Sequence, residues 1–168
     1  MTPRLLLGRF VSQTPLPLFR IQASASVRLR PEAAARAAGR ASFDITENAQ
    51  GLVLPRDPAE AAFLGPNGMS MRPEGRMLAV IIGTFRGKGA RVFEVPSGTA
   101  IPPELVLLHE HSDHYAMQPA EAMTLKRLNA ALTAFIAQPN VRLYPTIDAF
   151  YAAHPSMHPT VVGFSENA

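Results

Sequence analysis

Apolar positions along the chain fall in short runs, and most runs alternate. Leu18 to Val27 (LFRIQASASV) places Leu18, Arg20, Gln22 and Ser24 on one face and Phe19, Ile21 and Ala23 on the other, which predicts a strand. Ala90 to Val95 (ARVFEV) alternates in the same way. Gly51 to Pro55 (GLVLP) is a short apolar strand, and Gly68 to Arg72 (GMSMR) a short extended piece. The latter sits within Asp57 to Pro73, whose Gly, Pro and Asn content otherwise marks a loop. Leu105 to Gln118 (LVLLHEHSDHYAMQ) is the longest extended stretch, with a break expected near Ser112.

Helical signals are fewer. From Pro119 to Gln138, the residues Leu125, Leu128, Leu132, Phe135 and Ile136 recur at helical spacing and define one apolar stripe. Pro31 to Ala41 opens with proline and is rich in alanine, so it predicts a second helix. Met77 to Ile82 fits a strand or one buried helical turn, which periodicity does not separate. Beyond Pro139 a strand (Val141 to Tyr144) and a helix (Ile147 to Ala153) precede an end expected to fray from Pro155. Several short strands with few helices and long loops predict an α+β domain. The expected division is a basic N-terminal tail over 1–15, a central domain over 16–138 and a C-terminal extension over 139–168.

Composition narrows this picture. The 16 prolines exclude a simple helical bundle, because each breaks or edges an element. With no cysteine, the chain has no disulfide, thiolate metal site or cysteine nucleophile. Its longest apolar stretch, Met77 to Ile82, is far short of the about 20 residues that span a bilayer. A net charge of +3 gives no direct nucleic-acid signal, and no zinc-finger, RNP-like or heptad pattern adds one. The charge is uneven, however: Arg4, Arg9, Arg20, Arg28 and Arg30 all precede Glu32, the first acidic residue. An arginine on a mostly apolar strand, as Arg20 is, reaches solvent or pairs with an anion through its rigid fork.

The densest chemistry is His109-Glu110-His111-Ser112-Asp113-His114-Tyr115. On an unbroken strand His109, His111 and Asp113 share one face and could ligate a metal, with Glu110 and His114 opposite. Side chains two apart on a strand lie about 6–7 Å apart, so such a site needs help from elsewhere. Gly83 to Gly89 (GTFRGKG) is no phosphate-binding P-loop: three residues separate Gly83 from Gly87, and glycine follows Lys88. The loop Gly65-Pro66-Asn67-Gly68-Met69-Ser70-Met71-Arg72-Pro73 has the turn chemistry to bring backbone N–H groups and the Ser70 hydroxyl towards an anion.

These pieces occur together in one known family. LFRIQAS at Leu18, GLVLP at Gly51, GPNGMSMRP at Gly65, VFEVPSGTAIPPEL at Val92, HEHSDHYAMQPA at His109 and MTLKRLNAAL at Met123 follow one another in order. In that order the chain resembles the toxins named for the type VI secretion effector "Tse-two", from bacteria and fungi, over roughly Leu16 to Gln138. The resemblance implies an ADP-ribosyltransferase-like domain with a mixed or antiparallel split sheet, NAD as cofactor and transfer of ADP-ribose to an unknown acceptor. It implies a toxin acting in the cytoplasm of a recipient cell. Bacterial members would be exported by a contractile secretion system and neutralised by a cognate immunity protein. It places Ser70 and His114 in catalytic roles, and Arg20, Met69, Ser70, Tyr115 and Gln118 around the dinucleotide. The catalytic glutamate of such transferases lies in an E-x-E or Q-x-E pattern; here Gln118-Pro119-Ala120-Glu121 offers Glu121 at a spacing of three, and Glu110 is the other candidate. The competing expectations are a non-enzymatic toxin or domesticated relative using the same cleft, and a metal-dependent enzyme built on His109, His111 and Asp113.

Overall fold

The computed structural model describes residues 6–56 and 65–162. Among the described residues the strands form three antiparallel sheets. The largest has strands β1 (Gly8–Phe10), β6 (Leu105–His111), β7 (His114–Pro119) and β4 (Met69–Met71) in the order β1-β6-β7-β4. A second, β2-β5-β9, joins β2 (Leu18–Gln22), β5 (Arg91–Val95) and β9 (Arg142–Tyr144). A small third pairs β3 (Leu52–Val53) with β8 (Met123–Thr124). The two larger sheets touch at one antiparallel bridge, where Phe19 and Arg72 exchange backbone hydrogen bonds of 2.7 and 3.1 Å. This is the split α+β sheet expected of the sequence.

Alternation along β2 feeds two separate cores. Leu18 belongs to the main one, with Met69, Leu107, Met117, Leu132 and Phe135. Phe19 and Ile21, on the opposite face, belong to a second, with Leu78, Ile82, Val92, Tyr144 and Phe150. The stripe on α3 (Leu125–Ile136) closes the first: Leu128, Leu132, Phe135 and Ile136 are buried. Helices α2 (Arg76–Thr84) and α4 (Ile147–Ala153) close the second with Leu78, Ile82 and Phe150.

Local chemistry moves several expected boundaries. Strand β2 stops at Gln22 rather than Val27, because Gln22 Nε2 donates to the carbonyls of Ser24 (2.6 Å) and Ser26 (3.3 Å) and turns the serine-rich segment. The next residues dock on α3: Val27 N–H donates to Thr133 Oγ1, and Leu29 N–H to Asn129 Oδ1. The helix expected from Pro119 begins at Leu125. Pro119 ends β7, Met123–Thr124 pair with β3, and the Thr124 hydroxyl caps α3 by accepting from Arg127 N–H. Helix α1 (Glu32–Ala37) follows Pro31 and ends before Gly39, which has a left-handed φ of 69°. Met77 to Ile82 is helical, inside α2.

Parts of both ends depart from expectation, residues 1–5 and 163–168 lying outside the described residues. Where a loose tail is expected, Gly8–Phe10 pairs in register with Leu107–His109. Where fraying is expected from Pro155, a 3₁₀ turn (Pro155–Met157) buries Met157 in the second core, and α5 (Pro159–Val162) follows.

Ser112 has a left-handed φ of 42° in the tight turn between β6 and β7, and a register shift separates His109 from His111. Gly68 serves a different need, close approach. A Cβ built there would lie 2.3 Å from the Met117 carbonyl oxygen. Backbone cannot yield as a side-chain tip can, so Gly68→Ala is expected to destabilise the fold by about 1–3 kcal/mol. Urea denaturation would read this as a lower midpoint at unchanged slope.

Candidate active site at an arginine-lined cleft

Beyond the Phe19–Arg72 bridge the pairing of β2 with β4 stops. Arg20 spans the gap that follows: its guanidinium donates to the Ser70 carbonyl (3.3 Å) and to Gln22 Oε1 (3.3 Å). The cleft there has a volume of about 710 Å³, within the range usual for small-molecule sites. Arginines dominate its walls: Arg20, Arg28, Arg30, Arg40, Arg72 and Arg86 face it, with Asp44 the one acid among the described lining residues.

Those charges are not equivalent. Asp44 lies 3.5 Å from Arg30, and Arg72 is ion-paired with Asp113. Among the described residues no carboxylate lies within ion-pair distance of Arg20. Burial lowers the pKa of its guanidinium, opposed by Asp44 and reinforced by Arg30. An arginine stays cationic under such a shift, so the burial is a cost that a docked anion relieves. A phosphate or pyrophosphate matches its fork.

Strand alternation puts Ser70 towards this cleft while Met69, fully buried, faces the main core. His114 opens β7, with its Nε2 3.0 Å from Ser70 Oγ. Arg20 and His114, from two other strands, therefore both reach Ser70, the first at its carbonyl and the second at its hydroxyl. Tyr115 is also buried; its ring stacks on His109 at 4.1 Å, and burial, with Asp113 adding to it, raises the phenol pKa.

The other candidates lie elsewhere. Glu121 is exposed and pairs with Arg127 at 2.7 Å, in a hollow lined by Pro103 and Glu104. Gln118 is fully buried, held between Asn67 and Glu110. The unbroken strand required for a metal face is absent. The turn at Ser112 sends Asp113 to Arg72, His109 donates to the Ser112 carbonyl, and His111 stacks on His114. Among the described residues no three His, Cys, Asp or Glu side chains are grouped to hold a metal ion.

Sequence reasoning missed Arg28, Arg30, Arg40 and Arg86 as cleft residues. The acid-free start was the available signal for the first two. It also left Asn67 unassigned, since nothing in the spacing pairs it with Gln118. Among the described residues no helix is long and apolar enough to cross a membrane.

No curated protein matches the chain significantly. The family model described as Tse2 ADP-ribosyltransferase toxin matches residues 17–143, a span that includes Arg20, Ser70 and His114. The chain belongs to the Tse2 ADP-ribosyltransferase toxin family.

Proposed function

We propose that the arginine-lined cleft binds NAD and that the protein transfers its ADP-ribose to an acceptor in the cytoplasm of a recipient cell. The observation that carries this reading is that Arg20 and Ser70 line the cleft together while His114 contacts the Ser70 hydroxyl. Arg20 would hold the pyrophosphate, fixing the nicotinamide riboside against Ser70 and His114. Cleavage of the nicotinamide–ribose bond develops positive charge on the ribose. Oriented oxygen atoms, such as the Ser70 hydroxyl, stabilise such a centre. NAD supplies both the leaving group and the transferred ADP-ribose.

A bacterial producer of such a toxin needs a cognate immunity protein, and export through a contractile type VI machine fits the family. Inducible expression without an immunity partner tests the reading. Wild type should arrest growth as cellular NAD falls, and His114→Ala should do neither. Growth and NAD unchanged by well-expressed wild type would remove it.

One observation favours a second reading. The one carboxylate among the described cleft residues, Asp44, is paired with Arg30. A non-enzymatic toxin that grips an intracellular target through the same cleft needs no free carboxylate there. It predicts growth arrest with cellular NAD unchanged.

A further inference from the structure

Glu110 lies on β6 with none of its surface exposed. Burying such a group is costly unless hydrogen bonds satisfy it. Its partners form a chain whose direction is fixed from one end. The Leu54 carbonyl can only accept, so the Asn67 side-chain atom 2.9 Å from it is the nitrogen Nδ2. That nitrogen also lies 3.1 Å from Gln118, so the Gln118 atom facing it is the acceptor Oε1. Gln118 Nε2 is thereby left to donate to Glu110 Oε1, at 3.0 Å. One backbone carbonyl orients both amides.

The second carboxylate oxygen, Oε2, is 3.7 Å from His114 Nδ1, and the other ring nitrogen faces Ser70 Oγ at 3.0 Å. We propose that Glu110 is a positioning residue that holds the proton of neutral His114 on Nδ1, leaving Nε2 bare to accept from the Ser70 hydroxyl. The proton sits on the nitrogen that faces an acceptor, since two lone pairs would otherwise oppose each other. Asn67, Gln118, Glu110, His114 and Ser70 then form one directed line from a backbone carbonyl to the cleft.

The consequence for catalysis rests on the transfer reading above; the tautomer does not. In that transfer the ribose C1–nicotinamide bond breaks and its electron pair leaves with nicotinamide. The acceptor's lone pair forms the new bond to C1. The acceptor's proton passes to Ser70 Oγ as the Ser70 proton passes to His114 Nε2.

Nitrogen-15 NMR of the full-length chain tests the tautomer without NAD, recorded where the ring is neutral and assigned by signal loss in His114→Asn. Wild type is expected to show a protonated Nδ1 and a bare Nε2. Glu110→Gln should invert this. Gln118 still donates, so the new amide accepts through its oxygen and turns its NH₂ towards Nδ1, which must now accept. Label transfer from NAD should fall roughly 10- to 100-fold in that variant, as for other residues that orient a reacting side chain. A wild-type ring protonated on Nε2 overturns the proposal even if Glu110→Gln fails to fold. So does a folded Glu110→Gln variant that keeps the proton on Nδ1, or one that inverts the tautomer and transfers at the wild-type rate. A wild type with the expected tautomer and no transfer supports the relay and sinks the transfer reading alone.

Discussion

Arg20→Ala should lower NAD-dependent label transfer by about 10²–10³-fold, the effect of removing one oriented donor from a developing charge. Arg20 reaches across the seam between two sheets to the Ser70 carbonyl, so it links the cleft to the strand that carries Ser70. Burial already disfavours its charge, and no carboxylate among the described residues pairs with it. An arriving phosphate therefore meets a cation with little competing stabilisation. Alanine removes both the charge and the fork. Arg20→Lys keeps the charge without the fork and should recover only part of the loss. Titration of NAD into each variant, beside label transfer, separates weakened binding from slowed chemistry. Alanine removes a partly buried charge together with its bonds to the Ser70 carbonyl and Gln22 Oε1, so thermal unfolding checks that the variant folds. Transfer at the wild-type rate in a folded Arg20→Ala protein would exclude Arg20 from the site.

Phe150→Ala should destabilise the protein by about 3–5 kcal/mol, a large share of the roughly 5–15 kcal/mol that stabilises a typical domain. Phe150 is fully buried in α4, beyond the family match. Its ring meets Phe19 edge-on at 5.8 Å and Tyr144 at 5.6 Å, and stacks on His154 at 4.8 Å. Phe19 is the neighbour of Arg20 on β2, so a cavity at Phe150 loosens the strand that aims the cleft arginine. Leu143 is the control: it lies nearby on β9 but is 43% exposed, and Leu143→Ala should change stability by no more than about 0.5 kcal/mol. Urea denaturation of the three proteins reads both effects. Equal, small changes would show that α4 adds nothing to the second core.

What was legible in the sequence was whatever rests on local pattern. The alternation of ARVFEV and the leucine stripe of α3 predict their elements, the first a strand that feeds a core on each face and the second a helix with one buried stripe. The helix Ile147 to Ala153 was found at its full extent, since Pro145 and Thr146 mark its start and Thr146 caps it. Met77 to Ile82 is ambiguous because a short, continuously apolar run has no period to read. Gly8–Phe10 could not be assigned, as its pairing depends on β6, about a hundred residues away. The helix at Pro119 was drawn too long because an apolar stripe does not show where a strand hands over to a cap.

The site divides in the same way. Arg20, Ser70 and His114 are candidates through family blocks, and folding puts Arg20 and His114 each against Ser70. Met69 is expected beside the dinucleotide because it flanks Ser70, and Gln118 because it stands where a Q-x-E pattern would begin. Strand alternation turns Met69 into the core, and a hydrogen-bonded chain buries Gln118. Glu121, offered at a spacing of three where the motif has two, lies with Arg127, away from the residues that line the cleft. Only the register of the β6–β7 hairpin sets Glu110 behind His114.

The most direct test of the central claim is nicotinamide release by the purified full-length chain, incubated with a recipient-type cell lysate and NAD labelled in its adenylate. Release matched by label in the acceptor fraction, and absent from Arg20→Ala, is the predicted result. No release and no label with folded wild-type protein would contradict it.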